Sequence, residues 1–465
     1  MNKIVLISIP GYEQNVFPLG LYSLKAYLLK WLKYRPPLTI DLLTLRTRVF
    51  ERVNNSLYPK FDSKKIKTLI KKIIKQRPKI VGFSCYTWNI KIVLKIIKMI
   101  KQKRPLTNIV LGGPEASYYA KSFLENNPGI DFVVIDEGET TFTELIESLI
   151  YKKRSLDAID GLAYRQGDQI KLKTEHPILN LATVPSPYLM GLVDLKKEKR
   201  VVIETSRGCP FKCAYCSYNI RGYAKIRYFP IDQAKKELEY VLTKNVQELH
   251  IIDDNFNLYE DRAIKLLKTI IKYHHQTSIK LFVRADVWRL SEKIVKLLKK
   301  SGALLLIGIQ SLNEETLRIA KRTSKKEVLE HNLKMFDRYH VPYELEFIIG
   351  LPGDHYQDIK NNIDWALSYN LKRFSMQVLR INPDTFYQKN ARRLGLKYMP
   401  SPPYQIYESV SLSRQEIKKA FRLSRAVDYF INEHPYKKIA QEACQRLNYS
   451  YSDFFAHWLK KQKLS

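Results

Sequence analysis

Thr205-Ser206-Arg207-Gly208-Cys209-Pro210-Phe211-Lys212-Cys213-Ala214-Tyr215-Cys216 is the stretch that decides the fold. Three of the chain's five cysteines fall here, at C-x3-C-x2-C spacing. A disulfide-stapled secreted chain uses more cysteines, spaced more widely. Thiolates are the ligands of iron–sulfur clusters, and three close ones can cap three irons of a four-iron cube. No fourth ligand lies nearby: His250 is far along the chain, and the remaining cysteines are Cys85 and Cys444. A structural zinc site is normally closed by four ligands, so the pattern fits a cube with one open iron. Cys85 reads as a buried small residue at a strand end and Cys444 as a helix residue.

Outward from this loop the chain alternates strands and helices. Expected strands are Val201–Glu204, Glu248–Asp253, Lys280–Arg284, Ala303–Gln310, Tyr343–Ile349 and Phe374–Leu379, with amphipathic helical stretches between them. Six βα units predict a partial TIM-like barrel, a (β/α)6 fold whose chemistry sits at the strand ends. Pro400, Pro402 and Pro403 then mark a linker, and Ser413–Asn432, Tyr436–Leu447 and Tyr451–Lys460 read as a small helical segment.

Residues 1 to 150 also alternate, beginning with the strand Lys3–Ile9 and including Ile80–Ser84, Asn108–Leu111 and Asp131–Ile135. A helix after Pro18-Leu19-Gly20 carries Leu21, Leu24, Leu28 and Trp31 on one face. This is an α/β pattern with a doubly wound parallel sheet, which binds ligands at the carboxyl ends of its strands. The expected domains are 1–150, a connector 151–195 with a small hairpin near Gly161–Leu172, the barrel 196–392 and the helical segment 393–465.

The cysteine spacing, the aromatic Tyr215 before the third cysteine and the six-unit series resemble the radical S-adenosyl-L-methionine (SAM) superfamily. The resemblance implies a 4Fe-4S cluster on Cys209, Cys213 and Cys216. Its open iron is chelated by SAM, which is cleaved to methionine and a 5′-deoxyadenosyl radical. It further implies cofactor contacts at successive strand ends. Asp253-Asp254-Asn255 stands where the family contacts the SAM amino group, although the usual Gly-Gly-Glu is absent. Arg284 would pair with the SAM carboxylate, since a guanidinium fork suits a carboxylate bidentately. Gln310, where many relatives carry Glu, would hydrogen-bond a ribose. Gly350-Leu351-Pro352-Gly353 resembles the adenine-side turn, with Gly350, Pro352 and Gly353 in contact. His355, just beyond it, is a weaker candidate for proton transfer.

Given the barrel, the first 145 residues resemble the Rossmann-type cobalamin-binding domain fused ahead of one radical SAM branch. Pro18-Leu19-Gly20-Leu21, Ser84, Gly112-Gly113 and Asp136-Glu137-Gly138-Glu139 carry the likeness. It implies cobalamin contacts at Ser84, Gly112, Gly113, Glu137, Gly138 and Glu139. The double glycine would let a bulky cofactor tail approach the backbone. No histidine precedes His176, so this domain supplies no imidazole to cobalt. Tyr86 and Trp88 either flank a flat cofactor or pack. Methylthiotransferases, a neighbouring branch, carry three more cysteines in the N-terminal domain; only Cys85 is present here. The expected activity is methylation of an unactivated carbon, with a non-methylating radical reaction such as cyclisation, rearrangement or oxidation as the alternative. The cobalamin crevice is expected to face the barrel mouth. An electron donor such as flavodoxin or ferredoxin and a substrate that the residues do not name are the implied partners.

Composition bounds these readings. Hydrophobic residues make up 45% and charged residues 27%, which excludes wholesale disorder. The longest apolar runs are a third of a membrane span or less, and no signal peptide fits, so a cytoplasmic location is expected. The formal net charge is +33. Nucleic acid is one partner such a charge suits, and a basic RNA-binding protein with a structural cluster is the rival of another class. The lysines read as dispersed over polar helix faces, which favours a solvated surface. His274-His275 reads as a solvated helix end.

Overall fold

The computed structural model describes residues 2–11, 17–32, 37–47, 50–53, 56–175, 178–218, 220, 224–244, 246–274, 278–322, 325–434 and 436–462. His176, Pro177 and His275 lie outside them. The chain divides into two compact units, Met1–Val202 and Ile203–Ser465.

The first unit runs β1 (Asn2–Ser8), α1 (Leu19–Trp31), β2 (Leu38–Thr44), a hairpin of β3 (Phe50–Val53) and β4 (Ser56–Pro59), α2 (Ser63–Lys75), β5 (Ile80–Ser84), α3 (Ile90–Lys103), β6 (Asn108–Gly112), α4 (Pro114–Tyr118), α5 (Ala120–Asn126), β7 (Phe132–Val134), α6 (Gly138–Tyr151), β8 (Leu162–Gln166) and β9 (Gln169–Leu172). Its sheet has the order β2-β1-β5-β6-β7-β8-β9. The first five strands are parallel, with Ile4 opposite both Ile40 and Ile80. Both faces are covered, so the central strands are continuously apolar: Ile4–Ile7 and Ile80–Phe83 are buried throughout. One face packs on α2, α3 and α5 through residues such as Ile70, Ile97 and Leu124; the other packs on α1 and α6 through Leu28 and Leu145. Strand order reverses between β1 and β5, which makes their carboxyl ends the ligand-binding crevice of such a sheet.

Three details differ from expectation. The hairpin read as part of a connector is β8–β9, and it pairs antiparallel with β7, extending the sheet to seven strands. It covers an edge that β7 would otherwise leave open. Trp31 is not on the buried stripe of α1; it is 43% exposed, and its indole N–H donates to the Thr183 carbonyl at 2.9 Å. The β3–β4 hairpin was not expected at all.

The second unit continues with β10 (Arg200–Ile203, the strand in which the division falls), β11 (Ser206–Arg207), β12 (Arg227–Tyr228), α7 (Ile231–Leu242), β13 (Glu248–Ile251), α8 (Glu260–His274), β14 (Lys280–Arg284), α9 (Glu292–Lys300), β15 (Ala303–Gln310), α10 (Glu314–Ile319), α11 (Lys326–Tyr339), β16 (Tyr343–Ile349), α12 (Tyr356–Leu367) and β17 (Arg373–Val378). The sheet order is β10-β13-β14-β15-β16-β17. Each βα unit lays its strand beside the last, the arrangement of a partial (β/α)6 barrel. The remainder is α13 (Phe386–Lys389), β18 (Lys397–Tyr398), β19 (Ile406–Glu408), α14 (Arg414–Asp428), α15 (Lys437–Leu447) and α16 (Tyr451–Lys461). The helical segment packs on the barrel: α14 lies on β16 and β17, and α16 on α12 and α14. The long helix expected to Asn432 stops as an α-helix at Asp428 and continues as a π-turn, Tyr429–Glu433, which sets Phe430 among Phe454, Phe455 and Trp458.

Candidate functional sites

The cysteine loop leaves β10 and is tied down at its base. Asp253, just beyond β13, is only 3% exposed, and its Oδ1 accepts the Thr205 N–H at 2.7 Å and the Ser206 N–H at 3.1 Å. The Thr205 hydroxyl donates to the other oxygen. Asp253 therefore holds the loop rather than presenting a carboxylate to a ligand. Burial raises its carboxyl, against the pull of those donors. β11 and β12 pair antiparallel and close the loop's neck. At the loop's centre, Ala214 is pinned on both sides: its N–H donates to Ala320 O at 2.9 Å and its carbonyl accepts from Tyr387 N at 3.0 Å.

The three thiols are half-buried and unpaired by disulfides. Each has a hydrogen-bond donor nearby. Arg322 Nη1 approaches Cys213 Sγ at 3.6 Å, the Tyr218 N–H approaches Cys216 Sγ at 3.4 Å, and the Phe211 N–H bonds to Cys209. Burial pushes the Cys209 thiol up to about 11, and Asp254 and the other two thiols add to the rise. Cys216 is raised by burial too, with Cys213 and Asp254 adding and Arg322 opposing. The three sulfurs and Asp254 thus share one field. Among the described residues no three His, Cys, Asp or Glu side chains converge tightly enough to hold a single ion. A cube instead takes one thiolate per iron, and N–H donors on those sulfurs are what tune it.

Two guanidiniums lie nearby, and the one singled out from the sequence already has protein carboxylates as partners. Arg284, at the end of β14, is engaged: Nη1 and Nη2 grip Glu346 at 2.5 and 3.1 Å, and Nε lies 3.6 Å from Asp254. Glu346 sits on β16, two strands over, and Gly308 on the strand between carries no side chain to separate them. Glu346 and Asp254 keep the Arg284 guanidinium protonated against the lowering effect of burial. Burial raises the Asp254 carboxyl, and Arg284 opposes the rise. Arg322, beyond α10, was not singled out by sequence. It donates to Cys213 Sγ, to the Tyr215 hydroxyl at 3.2 Å and to Gly308 O at 2.8 Å. Its guanidinium carbon lies 5.5 Å from the Trp288 ring centroid. Its Nε is buried and has no hydrogen-bond partner among the described residues. An orphaned charged donor beside the thiols is what a carboxylate ligand would satisfy.

The other strand ends are placed as follows. Tyr215 stands behind Cys213, its ring 6.3 Å from that of Tyr387. Asn255 directly follows Asp254 beyond β13. A bulge at the end of β15 sets Gln310 at φ +77°, its amide lying over the space a Gly308 side chain would fill. In the turn after β16, Gly350 and Gly353 have φ of +92° and +99°, and Pro352 is buried. A side chain at Gly353 would stand 2.8 Å from Thr316 Oγ1, so this glycine is demanded by the fold itself. Asp354 follows, fully buried; it accepts from the Ser311 hydroxyl at 2.8 Å, and burial pushes its carboxyl up to about 7. His355 is exposed and caps α12, its backbone N–H donating to Asp358 at 2.8 Å.

In the first unit, the crevice between β1 and β5 is stitched by Asn89, which sequence reading missed. Its amide donates to Ile9 O at 3.0 Å and Ser84 O at 2.9 Å, and its Oδ1 accepts the Tyr86 N–H at 2.8 Å. Tyr86 and Trp88 stack with centroids 4.3 Å apart, and a side chain at Gly11 would meet the Trp88 ring at 3.2 Å. Gly112 and Gly113 differ. At Gly113, φ is +93° and a Cβ would lie 2.8 Å from Cys85 O, so the backbone itself requires a glycine there. At Gly112 the nearest atom is 3.8 Å away, leaving room on the crevice side. Glu137 and Glu139 are buried at the start of α6, and Gly138 packs against Leu24 and Val134. Cys85 is fully buried, bonded to Phe83 O, its thiol raised by burial. Cys444 is buried in α15.

Comparison with known proteins identifies the two domains. Residues 203–366 match the radical SAM superfamily model and residues 48–146 match the B12 binding domain model. The chain thus carries a radical SAM domain behind a B12 binding domain, and these domains imply a 4Fe-4S cluster, SAM and cobalamin as cofactors. It is 24% identical over 413 residues to 2-(S-pantetheinyl)-carbapenam-3-carboxylate methyltransferase of Streptantibioticus cattleyicolor, covering 81% of this chain and 60% of the relative. It is 25% identical over 347 residues to the cobalamin-dependent radical SAM methyltransferase TokK of Streptomyces tokunonensis, covering 70% of this chain and 51% of the relative. It is 29% identical over 273 residues to anaerobic magnesium-protoporphyrin IX monomethyl ester cyclase of a Synechocystis species, covering 56% and 54%. The chain thus spans little more than half the length of these relatives. In fold it is similar to the cobalamin-dependent SAM radical enzyme OxsB, with TM-score 0.73, 18% identity and coverage of 99% of this chain and 72% of that one. It is also similar to the methyltransferase TsrM of Kitasatospora setae, with TM-score 0.68, 18% identity and coverage of 90% and 82%.

Proposed function

We propose that the protein is a cobalamin-dependent radical SAM methyltransferase acting on an unactivated carbon. The observation that carries this is the thiol nest: three half-buried cysteines, each met by an N–H donor, beside an orphaned guanidinium, in a chain that also carries a B12 binding domain. When bound, the cluster supplies the electron that cleaves SAM, and cobalamin carries the methyl group.

Cys209, Cys213 and Cys216 hold the cluster, and Asp253 and Arg322 set the loop around it. Arg322 takes the SAM carboxylate, the role first expected of Arg284. Asp254, Asn255, Gln310 and the turn from Gly350 through Pro352 to Gly353 line the remainder of the SAM site, with the Arg284–Glu346 pair fixing Asp254. Ser84, Gly112, Gly113, Glu137, Gly138 and Glu139 would hold cobalamin, with Tyr86 and Trp88 beside it and no imidazole from this domain. A small electron-transfer protein such as flavodoxin or ferredoxin supplies the electron, in the cytoplasm. The relative named as a cyclase keeps a non-methylating radical reaction as the second reading.

The test is anaerobic reconstitution with iron, sulfide and cobalamin, then incubation with SAM labelled in its methyl group. The expected result is 5′-deoxyadenosine formation and label leaving SAM for a second acceptor. Cys213→Ala should lose the cluster absorption and SAM cleavage together. SAM cleavage with no label transferred supports the cyclase-type reading instead, and cleavage by Cys213→Ala would overturn both.

A further inference from the structure

Part of the basic charge is gathered in one place once the chain is folded. α2 carries six lysines and α3 five, and neither carries an acid. Most other long helices interleave acids with their bases, as α7, α8, α9, α11 and α14 do. α2 and α3 pack side by side on one face of the first unit's sheet, so their lysines form one field. Of these lysines, Lys101 pairs with Asp131.

The field continues onto one edge of the sheet. Both helices end in similar sequences, Lys75-Gln76-Arg77-Pro78-Lys79 and Gln102-Lys103-Arg104-Pro105-Leu106. The two loops are joined: the Thr107 hydroxyl donates to Pro78 O at 3.2 Å, and the Asn108 N–H donates to Lys79 O at 2.9 Å. Within this basic edge Leu106 is 94% exposed, the most exposed large apolar side chain described. The edge holds the amino ends of β5 and β6, opposite the carboxyl ends that form the crevice.

We propose that this edge docks the protein on an anionic lipid bilayer, with the lysines and arginines against the headgroups and Leu106 in the acyl boundary. Basic residues around an exposed apolar crest are the chemistry of peripheral membrane attachment. Nucleic acid fits less well. Neither helix nor loop carries an aromatic ring for a base to stack on, and a leucine at the crest offers nothing to a phosphate. Docking at the amino edge leaves the crevice at the opposite edge uncovered. The inference is independent of methyl transfer.

The full chain is sedimented with vesicles of phosphatidylcholine alone or mixed with phosphatidylglycerol. Binding is expected only to the anionic vesicles, and to weaken with salt. Lys75→Gln, Lys79→Gln and Lys103→Gln should each lower the partition constant about fivefold. Leu106→Ser should lower it about tenfold. The same number of charges removed elsewhere, by Lys236→Gln, Lys265→Gln and Lys268→Gln, should change nothing. A Leu106→Trp variant should show fluorescence quenched by brominated acyl chains, a readout that needs no loss of binding. Equal weakening by the control set would reduce the effect to net charge and overturn the proposal. So would Leu106→Ser binding like the parent while an RNA oligonucleotide displaces the vesicles, which would make the edge a nucleic-acid surface.

Discussion

Replacing Asp253 separates two roles for that carboxylate. Its Oδ1 accepts both the Thr205 and Ser206 amides, and both residues are buried, so Asp253→Ala leaves two N–H groups without acceptor or water. At about 1.5 kcal/mol for each orphaned amide the loss is about 3 kcal/mol. Asp253→Asn keeps an oxygen where Oδ1 stands and can donate to the Thr205 hydroxyl, so it should cost under ~1 kcal/mol. Urea unfolding of the apo chain reads the stability, and iron per chain after reconstitution reads the loop. Asp253→Ala should lose both; Asp253→Asn should keep both and keep SAM affinity, measured by equilibrium dialysis. An alanine variant within ~0.5 kcal/mol of the parent, a range typical of surface changes, would refute the clamp. An asparagine variant that loads iron but binds SAM tenfold more weakly would return Asp253 to the ligand set.

Arg322→Gln removes a positive charge beside Cys213; at an effective dielectric of ~20 this should shift the cluster's midpoint potential negative by on the order of 50–100 mV, read by EPR-monitored titration. Gly113→Ala should cost at least ~2 kcal/mol, since it meets Cys85 backbone at positive φ, whereas Gly112→Ala should leave unfolding near the parent and weaken cobalamin binding in a spectroscopic titration. Asp354 keeps its proton in the folded chain up to about pH 7 and releases it near 4 when unfolded. Its contribution is therefore whole below about pH 4 and falls by about 1.4 kcal/mol per pH unit as pH rises towards 7. Urea unfolding across that window should show a shallower decline in Asp354→Asn.

The two α/β series were legible because buried parallel strands are apolar runs bounded by turns: Ile80–Ser84 and Lys280–Arg284 stand where their residues place them. The β3–β4 hairpin was not, since four-residue strands are too short to show a period. The partner of Arg284 was hidden by distance. Glu346 lies 62 residues on, and only the folded register brings it across Gly308. Its position two residues after Glu344, in phase with the strand, was the available signal. Arg322 had none, since an arginine after a short helix is unremarkable until α10 turns it towards the thiols. Gly113 was read as making space for a ligand, because a sequence shows that a side chain is missing but not which neighbour requires it. The lysines looked scattered because α2 and α3 are separated along the chain by the strand that brings them together.

The tethers of Ala214 bear on when the cluster can be installed. The loop's cysteines emerge before the groups that hold them, which belong to residues 320, 322 and 387. During synthesis the three thiols are therefore present, and open to oxidation or stray metal, long before the chain that shelters them exists. The nest closes only when the last barrel strand and the segment after it have been added. Any truncation before Tyr387 should therefore yield a protein that takes up iron poorly however intact its cysteine motif.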